Sequence, residues 1–352
     1  MVSLLVKYLK QITIYFFTGS LLTGKMKIKI LLLESIMKEN KNNMMKKIVE
    51  NMSKIIVGKE MSSKLMVISL ASAGHILLED VPGIGKTTMA YAMAKSLGLS
   101  FNRIQFTPDI LPSDITGFTM YNQKNNDFEY RSGNIMSNII LADEINRTSP
   151  KTQASMLEAM EEKQVTVDGK TYKLPKPFMV IATQNPIEYM GTYPLPEAQL
   201  DRFLMKITIG YPTKADEVNI LYRFQNSNPL HELQPIASLD ELLELQERVK
   251  NVRVDDSLAS YIVDLISATR RHEQVSLGCS PRASISLFRA AQAAAVYDDR
   301  DYVIPEDIRD LAVSVLSHRL ILKQEAKIKR ITNESIIHEI IRNQNIPVKA
   351  KV

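Results

Sequence analysis

The sequence predicts an α/β fold in which a parallel five-stranded sheet flanked by helices is followed by an all-helical domain. Five short apolar runs lack polar alternation, which is typical of strands buried on both faces of a parallel sheet. Helical patterns separate most of these runs, and no strand pattern follows Pro212. The 352 residues suffice for two domains, and a hydrophobic content of 45% suffices to bury their cores.

The first domain is predicted over residues 44–212. Its intervening helices include residues 86–97 and 150–163, the second with Ser149 as its cap and Pro150 at its first position. Repeats of strand, helix and strand specify a parallel sheet wrapped by helices. The predicted strands cover residues 75–79, 102–106, 138–142, 178–183 and 204–209.

The second domain, residues 213–352, is predicted to contain five or six helices and no strand. Ser238 and Glu241 have the spacing of a capping box at the start of one helix. Pro305 suits the first position of another. The clearest remaining patterns cover residues 240–250, 257–271 and 282–297.

The net charge of +5 is located at one end of the chain. Residues 1–43 hold seven lysines and two glutamates, and the remainder holds 37 basic and 37 acidic residues. A neutral body provides no general basic surface for DNA binding. The single cysteine, Cys279, excludes an internal disulfide and a zinc site built from several thiolates, which favours a reducing compartment such as the cytoplasm.

Residues 1–43 are apolar as well as basic. Their longest uncharged run, residues 11–24, is 14 residues long, whereas a membrane span needs about 20. They also lack a clear small-residue cleavage site for a signal peptide. We interpret them as a loosely ordered leader or an extended start, because Met37, Met44 and Met45 precede the domain sequence, and we expect no stable membrane span.

The segment DVPGIGKT, between the first predicted strand and a helix, has the pattern of a phosphate-binding loop. Gly83 and Gly85 would let backbone N–H groups wrap phosphate oxygens at a helix N-terminus. Lys86 would reach the β and γ phosphates of ATP, and the Thr87 hydroxyl would ligate Mg²⁺. Asp80 departs from the usual initial glycine, and a glycine turn capping an ordinary helix is the alternative. The predicted nucleotide-binding residues are Asp80, Val81, Pro82, Gly83, Ile84, Gly85, Lys86, Thr87 and Thr88.

Polar residues also follow two later predicted strands. Asp143 and Glu144 end the third, where buried carboxylates are costly unless their charge is used. Asp143 can hold Mg²⁺ directly or through water, and Glu144 can polarise the attacking water. Asn185 follows the fourth strand, where its amide could align that water or contact the γ phosphate. Taken alone, the carboxylates could be a helix cap and the Asn-Pro pair a simple turn.

Two arginines complete the candidate set. Arg202 precedes the fifth predicted strand, and Arg282 opens a helix of the second domain. An arginine near a γ phosphate stabilises transition-state charge and can raise the rate by ~10³ to 10⁵. Either residue alone could be an ordinary surface arginine.

In this order the segments resemble the AAA+ ATPases and, within them, the MoxR group. The resemblance covers about residues 45–345. It implies an AAA+ core of the P-loop type followed by a helical lid. Its most specific strings are HILLEDVPGIGKTT (75–88), FTPDILPSDITG (106–117), LADEINRTSPKTQASMLEAMEE (141–162) and ATQNPIEYMGTYPLPEAQLDRF (182–203).

The resemblance also implies roles for the later residues. Asn185 would be sensor 1, and Arg282 would be sensor 2, carried by the lid and completing the chain's own nucleotide pocket. Arg202 would be an arginine finger that acts on the nucleotide of the next subunit, with Arg147 as its rival. A finger supplied to a neighbour implies a ring, commonly a hexamer in this family.

Two insertions bear on the partner. The resemblance implies that residues 117–133 correspond to a small β insertion in a helix. The sequence of residues 162–176 predicts a hairpin with Asp168 and Gly169 at its turn. The second hairpin has little basic excess and no aromatic residue beyond Tyr172, so DNA translocation is less favoured than protein remodelling.

The sequence thus predicts an ATPase that uses ATP and Mg²⁺ for chaperone-like remodelling or assembly of a protein client. The resemblance suggests partners that bear a von Willebrand factor A domain. The alternatives are a DNA-directed or metal-chelatase motor subunit and a nucleotide-gated scaffold. The five histidines lack metal-site spacing and, like Cys279, are interpreted as structural.

Overall fold

The structure is a computed structural model that describes residues 44–81, 83–185, 191–225 and 229–347. These residues belong to one compact unit that begins at Met44. The predictions for residues 1–43 and for Pro82 fall outside the described residues.

The first half of the described chain alternates helices and strands, as predicted. The helices before and within the sheet are α1 (Met44–Ser53), α2 (Glu60–Ala71), α3 (Lys86–Ser96), α4 (Pro112–Thr116), α5 (Pro150–Glu162) and α6 (Glu197–Leu200). The strands are β1 (Ile76–Glu79), β2 (Phe101–Gln105), β3 (Gly117–Asn122), β4 (Asp127–Ser132), β5 (Ile139–Asp143), β6 (Gln164–Val167), β7 (Lys170–Lys173), β8 (Met179–Gln184) and β9 (Met205–Ile207).

Five of these strands form one parallel sheet in the order β2-β5-β8-β1-β9. All five were predicted, and each begins within one residue of the expected position. Glu79 of β1 lies opposite Gln184 of β8, and Gln105 of β2 lies opposite Asp143 of β5. The carboxyl ends of the strands therefore form one edge of the sheet, and the segments that enter them form the other.

The two predicted insertions are antiparallel hairpins, β3–β4 and β6–β7. Asp168 and Gly169 have φ of 48° and 77°, the left-handed pair that a tight two-residue hairpin turn requires. The Tyr130 ring of the first hairpin stacks on Tyr172 of the second, with ring centroids 3.8 Å apart. The two hairpins therefore contact each other through aromatic side chains.

The second half is mainly helical. It contains α7 (Lys214–Arg223), α8 (Leu239–Lys250), α9 (Asp256–Arg271), α10 (Pro281–Tyr297), α11 (Pro305–Leu316), α12 (Gln324–Ile328) and α13 (Asn333–Asn343). The expectation that no strand follows residue 212 was wrong. β10 (Val275–Leu277) and β11 (Ile321–Leu322) pair antiparallel, and each is too short to show a period in the sequence.

Alternate residues of β1 pack into different cores on the two faces of the sheet. Ile76 and Leu78 join the larger core, which includes helices from both halves of the chain. Leu77 joins a smaller core with Met156 of α5 and Phe203. The α/β half and the helical half therefore share the larger of the two cores.

Within the described ranges, no helix combines the length and apolar character that crossing a membrane would need.

Candidate functional site

The predicted phosphate-binding loop connects β1 to α3 at the carboxyl edge of the sheet. Gly83 and Gly85 have φ of 83° and 90°, a left-handed conformation that favours glycine. A Cβ at either position would meet no atom of the described residues within 4 Å, so the glycines serve the backbone conformation rather than space. Gly85 begins α3 without a side-chain cap, and Lys86 and Thr87 form its first turn. The N–H groups of such a helix end attract an anion.

Asp80 anchors this loop to the end of the sheet. Its carboxylate accepts hydrogen bonds from the backbone N–H groups of Val81 (2.9 Å), Ile209 (2.7 Å) and Gly210 (2.6 Å). Its carbonyl oxygen accepts a 2.8 Å bond from Lys86 Nζ. The departure from glycine therefore has a structural explanation, because the Asp80 side chain joins the loop to the segment after β9.

Asp143 lies buried at the end of β5. One carboxylate oxygen accepts a 2.6 Å bond from the Thr183 hydroxyl. The other accepts bonds from Arg103 Nε and Nη2, at 3.1 and 2.7 Å. Sequence analysis missed Arg103. The signal that could have found it is a cation in the middle of a strand of the sheet.

Glu144, the next residue, has a φ of 57°, which is strained for a residue with a side chain and costs about 1–3 kcal/mol. Its N–H donates to the Thr183 hydroxyl at 2.9 Å. Its carboxylate accepts a 2.8 Å bond from Gln105 Nε2 and lies 3.1 Å from Arg147 Nε. The Glu144 carboxylate is thus held by two donors, Gln105 and Arg147. Sequence analysis predicted neither contact.

Lys86 connects the loop with these carboxylates. Burial lowers the pKa of the Lys86 ammonium, while the nearby charges of Asp143, Asp80 and Glu144 act in the opposite direction. Asn185 is buried directly after β8, and residues 186–190 lie outside the described ranges. The structure therefore brings Lys86, Asp143, Glu144 and Asn185 together at the carboxyl edge.

Arg202 and Arg282 lie at the opposite, amino edge. Both guanidinium groups form ion pairs with the carboxylate of Glu161, with Arg202 Nε 3.5 Å away. The three side chains line a cavity of about 270 Å³ together with Gly74 and His75, which precede β1. The phosphate-binding loop follows β1, whose four residues span about 13 Å.

Arg282 was expected to complete the chain's own nucleotide pocket. In this structure its guanidinium group lies beside Arg202, where both pair with Glu161. The reason is that α10, which carries Arg282, begins next to the segment that enters β9. Arg147, the rival to Arg202, contacts Glu144 at the carboxyl edge.

A buried arginine fixes the position of both amino-edge arginines. The Arg319 side chain is 2% exposed and donates to Asp201 Oδ1 and to the Phe203 carbonyl, at 2.7 and 2.6 Å. Asp201 Oδ2 accepts a 2.7 Å bond from the Ser280 hydroxyl, and Ser280 caps α10 at Arg282. Arg319 therefore joins the loop that carries Arg202 to the helix that carries Arg282, a link that sequence analysis missed.

His75 and Cys279 occupy structural positions. The His75 ring bridges the Met160 carbonyl, 3.1 Å from Nε2, and the Val180 N–H, 3.0 Å from Nδ1. Burial lowers the pKa of His75 to about 4, so the ring is neutral. Burial raises the pKa of the Cys279 thiol to about 11, which makes it a poor nucleophile.

Two known families match the chain in the order in which its two halves occur. Residues 75–205 match the ATPase family associated with various cellular activities (AAA). Residues 267–340 match the AAA lid domain. The first match contains the loop, the carboxylates and Arg202, and the second contains Arg282 and Arg319.

Several proteins are similar over most of the chain. The uncharacterized protein YeaC of Bacillus subtilis (strain 168) is 53% identical over 311 residues, which cover 88% of this chain and 97% of YeaC. The chaperone MoxR1 of Mycobacterium tuberculosis is 43% identical over 303 residues, which cover 84% of this chain and 80% of MoxR1. A crystal structure of a protein from Cytophaga hutchinsonii ATCC 33406 is 43% identical, with a TM-score of 0.82, and the match covers 92% of this chain and 100% of that chain.

Proposed function

Because the chain belongs to the MoxR family of AAA+ ATPases, we propose that it hydrolyses ATP with Mg²⁺ to remodel or assemble a protein client in a chaperone-like way. Residues 44–212 would form the ATPase core and residues 213–352 the lid. The observation that supports this proposal is the convergence of Lys86, Asp143 and Glu144 at the carboxyl edge of the sheet.

The carboxyl edge offers the groups that ATP requires. The N–H groups at the start of α3 and the Lys86 ammonium would bind phosphate oxygens. The Thr87 hydroxyl and the Asp143 carboxylate are oxygen donors of the kind that Mg²⁺ prefers. They would hold this ion, which neutralises phosphate charge when bound. Asn185 would align the attacking water.

Glu144 would polarise that water, but only after a rearrangement. Its carboxylate is engaged by Gln105 and Arg147, and both interactions stabilise the charge that a base must use to accept a proton. The arrangement therefore corresponds to a restrained form of the enzyme. Activation would require the carboxylate to leave at least one of these donors.

Arg202 and Arg282 would act on the nucleotide of a neighbouring subunit, because they lie at the opposite edge from their own phosphate-binding loop. This arrangement supports a ring, which we propose to be a hexamer as is common in the family. The client would be a protein, recruited directly or through a partner with a von Willebrand factor A domain. Remodelling is preferred over a DNA-directed or chelatase motor because MoxR1, which is 43% identical to this chain, is named a chaperone.

Replacement of Glu144 by glutamine tests the proposal. The variant should bind ATP but hydrolyse it at least about a hundredfold more slowly, because it lacks the general base. It should then retain its client in a pulldown with ATP, and Glu162→Gln, at the exposed last residue of α5, serves as the control. A nucleotide-gated scaffold would instead keep full function without hydrolysis, and undiminished turnover in Glu144→Gln would refute the assigned base.

A further inference from the structure

A second and larger cavity, of about 760 Å³, lies between the base of the β6–β7 hairpin and helices α8, α9 and α10. It adjoins the cavity of about 270 Å³ that Arg202 and Arg282 line, and residues lining both cavities include Lys163, Ile285 and Arg289. We call it the lid groove. Its apolar surface includes Leu174, Phe178, Val263, Ile285 and Phe288.

This apolar surface is partly open to solvent. Val263 and Ile285 expose 53% and 54% of their surface, although Leu174 and Phe178 in the same groove are buried. Exposed aliphatic side chains that continue a buried apolar surface are typical of a binding groove.

The rim of the lid groove is cationic. Lys163, Lys176, Lys250 and Arg289 line it, against the single carboxylate of Glu247. Glu247 pairs with Lys250 at 2.6 Å. Within the described part of the chain, no carboxylate lies within ion-pair distance of Lys163, Lys176 or Arg289.

These cations act on one another. Burial lowers the pKa of Lys163, and the positive charges of Arg289, Lys250 and Lys176 lower it further. Like charges at one site repel, and an anionic occupant would relieve this repulsion. The chain outside residues 1–43 is neutral overall, so the positive rim is a local feature.

Because a cationic rim borders an apolar surface, we infer that the lid groove binds an acidic segment of a partner protein, and that this segment also carries apolar side chains. The chain's own residues 1–43 have the wrong charge, with seven lysines and two glutamates. A single-stranded nucleic acid is less favoured, because it would need exposed aromatic rings on which its bases could stack. The aromatic residues that line the groove are Phe288, which is half-buried, and Phe178, which is buried. The occupant would contact α10, the helix that carries Arg282, Ile285 and Arg289.

Fluorescence anisotropy with a labelled peptide of glutamate and leucine residues tests this inference on the full chain, without nucleotide. The triple variant Lys163→Gln, Lys176→Gln, Arg289→Gln should bind at least about tenfold more weakly, since it lacks three ion pairs. A matched control replaces three exposed lysines outside the groove, Lys323, Lys327 and Lys329, by glutamine and should keep the wild-type affinity. Equal melting temperatures of the two triple variants would show that folding is not the cause.

Two further comparisons separate the possible occupants. Ile285→Ser should weaken binding of the glutamate–leucine peptide but not of a glutamate–serine peptide, because only the first uses the apolar surface. Unchanged affinity in the groove variant would overturn the inference. Tighter binding of oligo-dT than of the acidic peptide, lost in the same groove variant, would also overturn it and assign the groove to nucleic acid. Because no nucleotide is present, these outcomes do not depend on ATP hydrolysis.

Discussion

The two edges of one parallel sheet carry complementary parts of the proposed active site. The carboxyl edge holds the phosphate-binding loop with Lys86, Asp143 and Glu144, whereas the amino edge holds Arg202 and Arg282. In this structure the two sets lie at opposite edges, separated by the length of a strand. We therefore propose that a complete site combines the carboxyl edge of one copy with the amino edge of another.

The edges also share a feature, because the groups at both are restrained by partners within the chain. Glu144 is held by Gln105 and Arg147, and the two arginines share the carboxylate of Glu161. In a complete site, water would replace the partners of Glu144 and a neighbour's phosphate would replace Glu161. Slow hydrolysis by the isolated chain is the expected consequence.

The largest expected effect comes from replacement of Arg202 by alanine, which should lower the ATPase rate by about 10³-fold. If the two edges meet between copies, mixing this variant with Glu144→Gln should restore activity, because some interfaces then combine an intact carboxyl edge with an intact amino edge. Steady-state phosphate release measures both effects. Arg253→Ala, at a side chain that is 77% exposed, is the control. A mixture no more active than its components would place Arg202 in its own chain's site.

A large effect on stability is expected from His75, which lies at the amino edge. Its pKa is about 4 in the fold and 6.5 when unfolded, so between these values the unfolded chain binds a proton that the folded chain does not. The free energy of unfolding should therefore be highest above pH 6.5 and fall by about 3 kcal/mol as the pH drops to 4. Urea denaturation across this range measures the slope.

The buried His318, whose pKa is also lowered by burial, contributes in the same direction. His75→Gln should remove the contribution of His75 to the pH dependence of the free energy of unfolding and leave the contribution of His318. A variant with the slope of the wild type would show that His75 is not protonated on unfolding in this range.

A moderate effect is expected at Glu161. Glu161→Gln should raise the ATPase rate by up to about fivefold at low protein concentration, since it frees both arginines from partly exposed ion pairs of small individual strength. Measuring the ATPase rate as a function of protein concentration distinguishes the release of the two arginines from a change at the carboxyl edge. Glu158→Gln on the same helix is the control. A lower rate would mean that Glu161 positions the arginines for their neighbour.

The sequence predicted the carboxyl edge better than the amino edge, and the reason is physical. The parallel strands are buried on both faces and read as continuous apolar runs, and the glycines of the loop mark its backbone conformation locally. The amino edge depends on contacts between segments far apart in the chain. Arg319 and Asp201, for example, are separated by 118 positions and no local pattern relates them. The position of Arg282 could not be inferred for the same reason.

The sequence also failed to predict the partners of Glu144 and Asp143 at the carboxyl edge, because these contacts too join segments that are distant in the chain. Gln105 and Arg103 lie on β2, and their contacts follow from the order of strands in the sheet, which places β2 beside β5. Local periodicity predicts the strands but not their neighbours. Polar residues at strand ends therefore gain a role only when the strand order is known.

The smallest expected effect is at Gln105, and it tests whether the carboxyl edge is restrained as the amino edge is. Gln105→Ala removes one of the two donors to the Glu144 carboxylate, so the rate without client should rise by about threefold, the value of one hydrogen bond. Gln225→Ala, at an exposed position, is the control for a loss of glutamine. A lower rate in Gln105→Ala would show that Gln105 holds Glu144 in its working position. The restraint would then belong to the amino edge alone, and binding of a neighbour's nucleotide by Arg202 and Arg282 would suffice to activate the enzyme.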